Sequence, residues 1–238
     1  MTMAIGRWLG LALAGAVLSG CMNGGGPFGG GTGGTDAHAP ASVQVMAKSF
    51  TIAGPRGFCI DPGGTRDSAE SAFAMLGSCA VISGNPRDAK PKAPAILTAS
   101  VTPLSDPLDD ATLDRMTAYL ATDDGRAALA RADGVGEVTV VDLGREDGLV
   151  LVHARDGTST GDMAGDYWRA VFATADKLVT LTVSGFRTAP LSDDAGADLT
   201  RAFVAAIRRA NPASAPPAAT VPETGGGGRL ASFFNRLL

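Results

Sequence analysis

Few residues of this chain can do chemistry, and their spacing narrows what that chemistry is. Three cysteines stand at positions 21, 59 and 79, and two histidines at 38 and 153, in 238 residues. No serine is followed three residues later by lysine, and the one G-x-S-x-G match, "GTSTG" over 157–161, falls in a hairpin connection and not between a strand and a helix, so the common serine-nucleophile signatures lack their structural context. His38 falls in a Gly-rich stretch, which offers no scaffold for the tight positioning that acid-base catalysis needs. His153, in "LVLVHARD", shares one face of a strand with Leu149 and Leu151, the pattern of a packed histidine more than of a general base. Asp156 and Asp162 flank "GTSTG" and can offer oxygens to a hard cation, but Gly, Ser and Thr are also ordinary turn residues, and no metal is expected. In "DGVGE", Thr139 takes the place of the third glycine of a dinucleotide loop, so this is read as a turn. Neither a catalytic group nor a cofactor is expected.

Cys21 has different surroundings. The run "WLGLALAGAVL" from Trp8 to Leu18 carries no charge, follows the lone Arg7 and exits through Ser19-Gly20. A charged lead, a short apolar middle and a small-residue exit describe a secretory signal over residues 1–20, because a membrane span needs about 20 apolar residues. Leu18-Ser19-Gly20-Cys21 resembles the lipobox of bacterial lipoproteins. That resemblance implies a diacylglyceryl group on the Cys21 thiol, then cleavage and acylation, for instance by palmitate, of the exposed amine. Two or more acyl chains hold stably where one binds only reversibly. Met22 stands where an Asp would favour retention at the inner membrane, so the resemblance implies the periplasmic face of the outer membrane.

The chain has 20 Lys and Arg against 24 Asp and Glu, and loss of residues 1–20 removes Arg7 alone. Apart from Arg208-Arg209 the basic residues are scattered singly, which argues against nucleic acid as a partner. With Cys21 lipidated, Cys59 and Cys79 are an even pair in an oxidising compartment, where a structural disulfide is the default and buried free thiols the alternative. Their spacing is not the C-x-x-C of a redox site.

Residues 21–41 form a Gly-rich tether, 42–212 a globular composition, and 213–228 a second linker rich in Pro, Ala and Gly. Within the globular part, "SVQVMAKSFTIAG" alternates as one half-buried strand, and a short strand over Phe58 to Asp61 follows the turn "GPRG". "AFAMLGSCAVIS" is read as a strand antiparallel to it, with Phe73, Met75, Cys79 and Val81 on one side. "APAILTASVTP" is a further core strand bounded by prolines. Leu113, Met116, Leu120, Ala128 and Leu129 fall at helical spacing in one helix, with Gly125 as its weak point. Hairpins are expected around "GREDG" and "ATADK". In the second, Tyr167 and Trp168 point to opposite sides, so one at most joins the core and the other marks a contact surface. A last helix is capped by Ser192, carries Asp193 and Asp194 in its first turn, and buries Leu199, Phe203, Ala206 and Ile207; Arg208, Arg209 and Pro212 end it.

Strands, helix, two hairpins and helix in that order predict an α+β fold, an antiparallel sheet with packed helices. The layout resembles the PsbP-like family of α/β/α sandwiches, notably in "GFCID" after the first strands and "LVTLTVSGF" before the last helix. The resemblance implies a non-enzymatic accessory or assembly factor; the cysteine pair is not part of the family's pattern.

The final stretch, "RLASFFNRLL" over 229–238, puts Leu230, Phe233, Phe234, Leu237 and Leu238 on one helical face and Arg229, Ser232, Asn235 and Arg236 on the other. Ten residues cannot span a bilayer, and a helix this short needs a cover for its apolar side. A groove on an envelope protein, the membrane interface and the chain's own body are the candidates, and a tail that stays disordered is the remaining alternative. The sequence therefore predicts an outer-membrane-anchored, non-catalytic binding or assembly factor, against the rival of a periplasmic enzyme or small-ligand carrier with a pocket near His153.

Overall fold

The computed structural model describes residues 38–130, 138–158 and 161–212. Cys21, most of the tether, the linker 213–228 and the segment 229–238 lie outside the described residues. Among those described, no helix is long and apolar enough to cross a membrane.

Strand β1 (Ser42–Val45) pairs with β2 (Phe50–Ala53) as a separate two-stranded sheet. The remaining strands are β3 (Phe58–Asp67), β4 (Ala72–Ser78), β5 (Ala95–Pro103), β6 (Val138–Glu146), β7 (Leu149–Asp156), β8 (Met163–Thr174) and β9 (Lys177–Phe186). They form one sheet of seven in the order β3-β4-β5-β9-β8-β7-β6, antiparallel throughout. Four helices complete the body: α1 (Cys79–Ser83), α2 (Asp110–Leu120), α3 (Asp123–Ala127) and α4 (Asp193–Ala210). The expected α+β class with an antiparallel sheet is what the chain adopts.

Helix α4 packs on one face of the sheet with the β1-β2 hairpin. Phe203, Val204 and Ile207 meet Phe50, Ile52, Trp168, Phe172, Leu181 and Val183 there. Ser192 caps the helix by accepting from the Ala195 amide at 3.3 Å. At its far end the buried Asn211 accepts from Thr51 N at 2.8 Å and donates to Thr51 O at 2.7 Å, tying α4 to β2. On the opposite face, Leu113, Met116 and Leu120 of α2 cover Val150, Val152, Tyr167 and Val171 of β7 and β8. Arg145 of β6 bridges Asp110 and Asp114 of α2, while neighbouring Glu146 receives Arg201 of α4 at 2.7 Å. Strand β6 is thus tied to the helices of both faces.

Four local expectations are corrected. Ser42 to Gly54 is a hairpin, because Met46, Ala47 and Lys48 take positive φ values of 53°, 54° and 67° and reverse the chain. The Asp67 carboxylate accepts from the Met46 amide at 2.7 Å and fixes that turn from a distant strand. Cys79 opens α1 and does not continue β4; Gly84, with φ 70°, ends that single turn. The expected single helix is two, broken at Ala121–Thr122, where the Thr122 hydroxyl accepts from Gly125 N and caps α3. Gly125 is required by proximity, since a Cβ there would sit 2.0 Å from the Tyr119 carbonyl oxygen. Tyr167 and Trp168 do face opposite sides, but both are buried, at 0% and 2% exposure, because both faces of β8 are covered.

Candidate functional site

Alternation along β5 and β9 builds the site. In β5, Leu97, Ala99 and Val101 enter the core while Thr98, Ser100 and Thr102 turn to the other face. In β9, Val179, Leu181 and Val183 enter the core while Thr180, Thr182 and Ser184 turn away. Pairing sets Thr98 opposite Thr182 and Ser100 opposite Thr180, so hydroxyls from strands far apart in sequence become cross-strand neighbours. Phe73 of β4 lies beside Ser100, and Arg169 of β8 beside Thr182.

Helices α2 and α3 cover β6, β7 and β8 on this face, and their apolar cluster reaches β9 only at Leu178. The step from covered to uncovered sheet leaves a recess of about 170 Å³. Its apolar wall is Leu120, Leu129, Val152 and Val171, and its polar floor is Thr98, Ser100, Thr180, Thr182 and Arg169. The Tyr167 hydroxyl donates to the Leu129 carbonyl and holds that wall to β8. Arg169 Nε donates to Thr182 Oγ1 at 3.4 Å, and the guanidinium lies 5.5 Å from the centre of the Tyr167 ring. Thr180 Oγ1 is buried and has no hydrogen-bond partner among the described residues. Buried hydroxyls are nearly always paired, and an unpaired one costs about 1–3 kcal/mol. Hydroxyls and one guanidinium beside an apolar wall can recognise and hold a group. They supply neither a nucleophile with its base nor a general acid.

His153 lies on the other side of the sheet from this recess: Val152, its chain neighbour, lines the recess while His153 faces α4. The imidazole is 5% exposed and stacked on Trp168, with ring centres 4.4 Å apart and planes 16° from parallel. Its Nε2 is 3.1 Å from Asp166 Oδ1, which Arg155 also meets at 2.9 Å. Burial opposes ionisation of Asp166, but the hydrogen bonds from Arg155 and His153 outweigh it and hold that carboxyl below the ordinary Asp value. The pocket and the histidine of the rival reading are therefore on opposite faces.

The other expected residues fall as follows. The sulfurs of Cys59 and Cys79 are 2.09 Å apart, with Cα atoms at 4.7 Å, joining β3 to α1. Asp156 is buried and accepts from Thr158 N at 2.9 Å and Thr158 Oγ1 at 2.6 Å, a turn already closed on itself. Asp162 is exposed, and no group of three or more His, Cys, Asp and Glu side chains gathers among the described residues. His38, placed in the tether, meets Asp88 Oδ1 at 2.5 Å, and Pro40 and Ala41 carbonyls accept from Ile60 and Gly54 amides, so the body starts before Ser42. Cys21, Leu230, Phe233, Phe234, Leu237 and Leu238 lie outside the described residues. The recess itself was not expected; its signal was the hydroxyl alternation in "LTASVT" and "VTLTVS", on strands whose pairing is non-local.

No protein-family model, curated protein or solved structure matches this chain.

Proposed function

We propose that this protein is a lipid-anchored accessory factor on the periplasmic face of the outer membrane, which binds an envelope component without transforming it. Acylation of Cys21 supplies the anchor, a PsbP-like α/β/α sandwich the body, and residues 229–238 a second point of contact. Helices packed on both faces of one antiparallel sheet support the sandwich reading. The observation that carries the binding role is the hydroxyl-floored recess beside the uncovered sheet, where Thr180 Oγ1 has no hydrogen-bond partner among the described residues. A partner group that donates or accepts there recovers the cost of that buried hydroxyl on binding.

The test is photocrosslinking in living cells from Phe73, at the recess, and from Phe233, in the C-terminal segment, using the full chain. A discrete protein adduct from either position is expected. Membrane-bound, folded protein that yields no adduct from both positions overturns the reading. The volume of the recess favours one second reading, a carrier of a small ligand. That reading predicts a bound small molecule in native mass spectrometry, lost when Thr180→Val and Thr182→Val are combined.

A further inference from the structure

The corner of the fold where the chain enters is cationic in an otherwise acidic protein. His38 touches Asp88 at 2.5 Å, and the Ala39 carbonyl oxygen lies 3.3 Å from Cys59 Sγ, so the first described residues run beside α1 and the loop after it. That loop, with α1, reads "CAVISGNPRDAKPKAP" and contains Arg87, Lys90 and Lys92 against one acid, Asp88. The acid is turned inward, its side chain 6% exposed, and Asn85 Nδ2 donates to it at 3.4 Å. Arg56 joins the cations from the neighbouring turn: a Cβ on Gly57 would lie 2.7 Å from the Lys90 carbonyl carbon and 2.6 Å from Pro91 N.

Arg56, Arg87, Lys90 and Lys92 are all exposed, and none makes an ion pair among the described residues. Among them stands Val81, 77% exposed on the single turn of α1, the most exposed large apolar side chain described. Val81, Ala80, Pro86, Pro91, Pro94 and Lys90 share one open groove. Exposed cations around a protruding aliphatic side chain and prolines suit a surface that is anionic at its headgroups and apolar just beneath.

We propose that this corner rests on an anionic phospholipid bilayer, with Val81 at the headgroup boundary and Arg56, Arg87, Lys90 and Lys92 on lipid phosphates. The inference rests on the lipid-anchor reading for its source of membrane, since Cys21 to His38 reaches at most about 60 Å even when fully extended. An anchored body with one cationic corner at its point of entry is then held in one orientation on the bilayer and does not rotate freely about the tether.

The experiment uses the full chain carrying Val81→Trp, purified with its lipid and checked by mass spectrometry at Cys21. It is reconstituted into vesicles of brominated phosphatidylethanolamine with phosphatidylglycerol, or of brominated phosphatidylcholine alone. Quenching of the new tryptophan in the phosphatidylglycerol vesicles only, abolished by Arg87→Gln, Lys90→Gln and Lys92→Gln together, is the expected result. No quenching in either vesicle, or equal quenching in both, overturns the proposal. Should the protein carry no lipid, the anchor reading fails by itself, and the corner is read by vesicle sedimentation. The triple variant should then partition onto phosphatidylglycerol vesicles roughly a hundredfold more weakly, at about 1 kcal/mol per cation, and equal partitioning overturns the proposal.

Discussion

Gly196 offers the sharpest test of how the sheet and α4 are held together. Gly in a helix interior is ordinarily about 1 kcal/mol less favourable than Ala, so replacing it on an open helix face stabilises. Here a Cβ at position 196 would lie 2.3 Å from Trp168 Cδ2 and Cε2 and 2.4 Å from Cε3. Carbon pairs are at ease near 3.5–4.0 Å, so three contacts are short by more than about 1 Å at once. The indole cannot step aside, because it is 2% exposed and stacked on His153 at 4.4 Å. Helix α4 must therefore lift, straining Phe203 and Ile207, which sit on the same core.

Overpacking of this kind costs about 3 kcal/mol, and the helix-propensity gain of about 1 kcal/mol offsets part, for a net loss near 2 kcal/mol in Gly196→Ala. In a body of this size that lowers Tm by about 4–8 °C. Urea denaturation followed by far-UV dichroism measures it. The control is a double-mutant cycle with Trp168→Leu, which removes the three ring atoms and should leave Gly196→Ala neutral or stabilising, a coupling of about 2 kcal/mol or more. Unchanged or raised stability of Gly196→Ala in the wild-type background would refute the close packing of α4 on β8.

Replacing Cys59 and Cys79 by serine together opens a cross-link spanning 20 residues, and chain entropy puts the loss near 3 kcal/mol, readable as a lower urea midpoint that reductant alone reproduces. Asp166 has a folded-state pKa below its ordinary 3.8, so its contribution is present above that value and disappears as pH falls through the lower one. Acid unfolding of Asp166→Asn should accordingly lose part of the stability decline that the wild type shows below about pH 4. Asn211→Ala removes the three side-chain hydrogen bonds to Thr51 and Ile207, for about 2–3 kcal/mol of stability. Hydrogen exchange at the Thr51 amide should accelerate with it, and protection as in the wild type would exclude that role.

The elements legible in the sequence are those whose signals are local. Helix α4 carries its Ser192 cap, acidic first turn and apolar stripe within its own length, and Asp193–Ala210 follows from them. The turn Asp147-Gly148 has φ values of 46° and 70°, the conformation that pair favours, so the β6-β7 hairpin was also readable. The β1-β2 turn was not, because Met46, Ala47 and Lys48 give no sign of positive φ and the Asp67 carboxylate that fixes them comes from β3. Tyr167 misled for a related reason. Alternation tells which side of a strand a residue takes, and only packing elsewhere in the chain decides whether that side meets water.

The same distinction explains why the recess is not legible in the sequence and why binding is the chemistry it supports. Its hydroxyls belong to β5 and β9, which become neighbours only through the pairing of Thr98 with Thr182 and Ser100 with Thr180. On the core side, these strands bury Leu97, Ala99, Val101, Val179, Leu181 and Val183, an investment that fixes their register. Register fixed from behind gives the outward hydroxyls defined positions that do not depend on contacts such as Arg169 to Thr182, so their face can be matched to a partner. His153 has no such freedom, being held between Trp168 and Asp166 beside α4. An imidazole enclosed in the packing and a polar surface left uncovered divide the molecule's polar groups between folding and the recognition we propose, and on the second side Thr180 Oγ1 has no hydrogen-bond partner among the described residues.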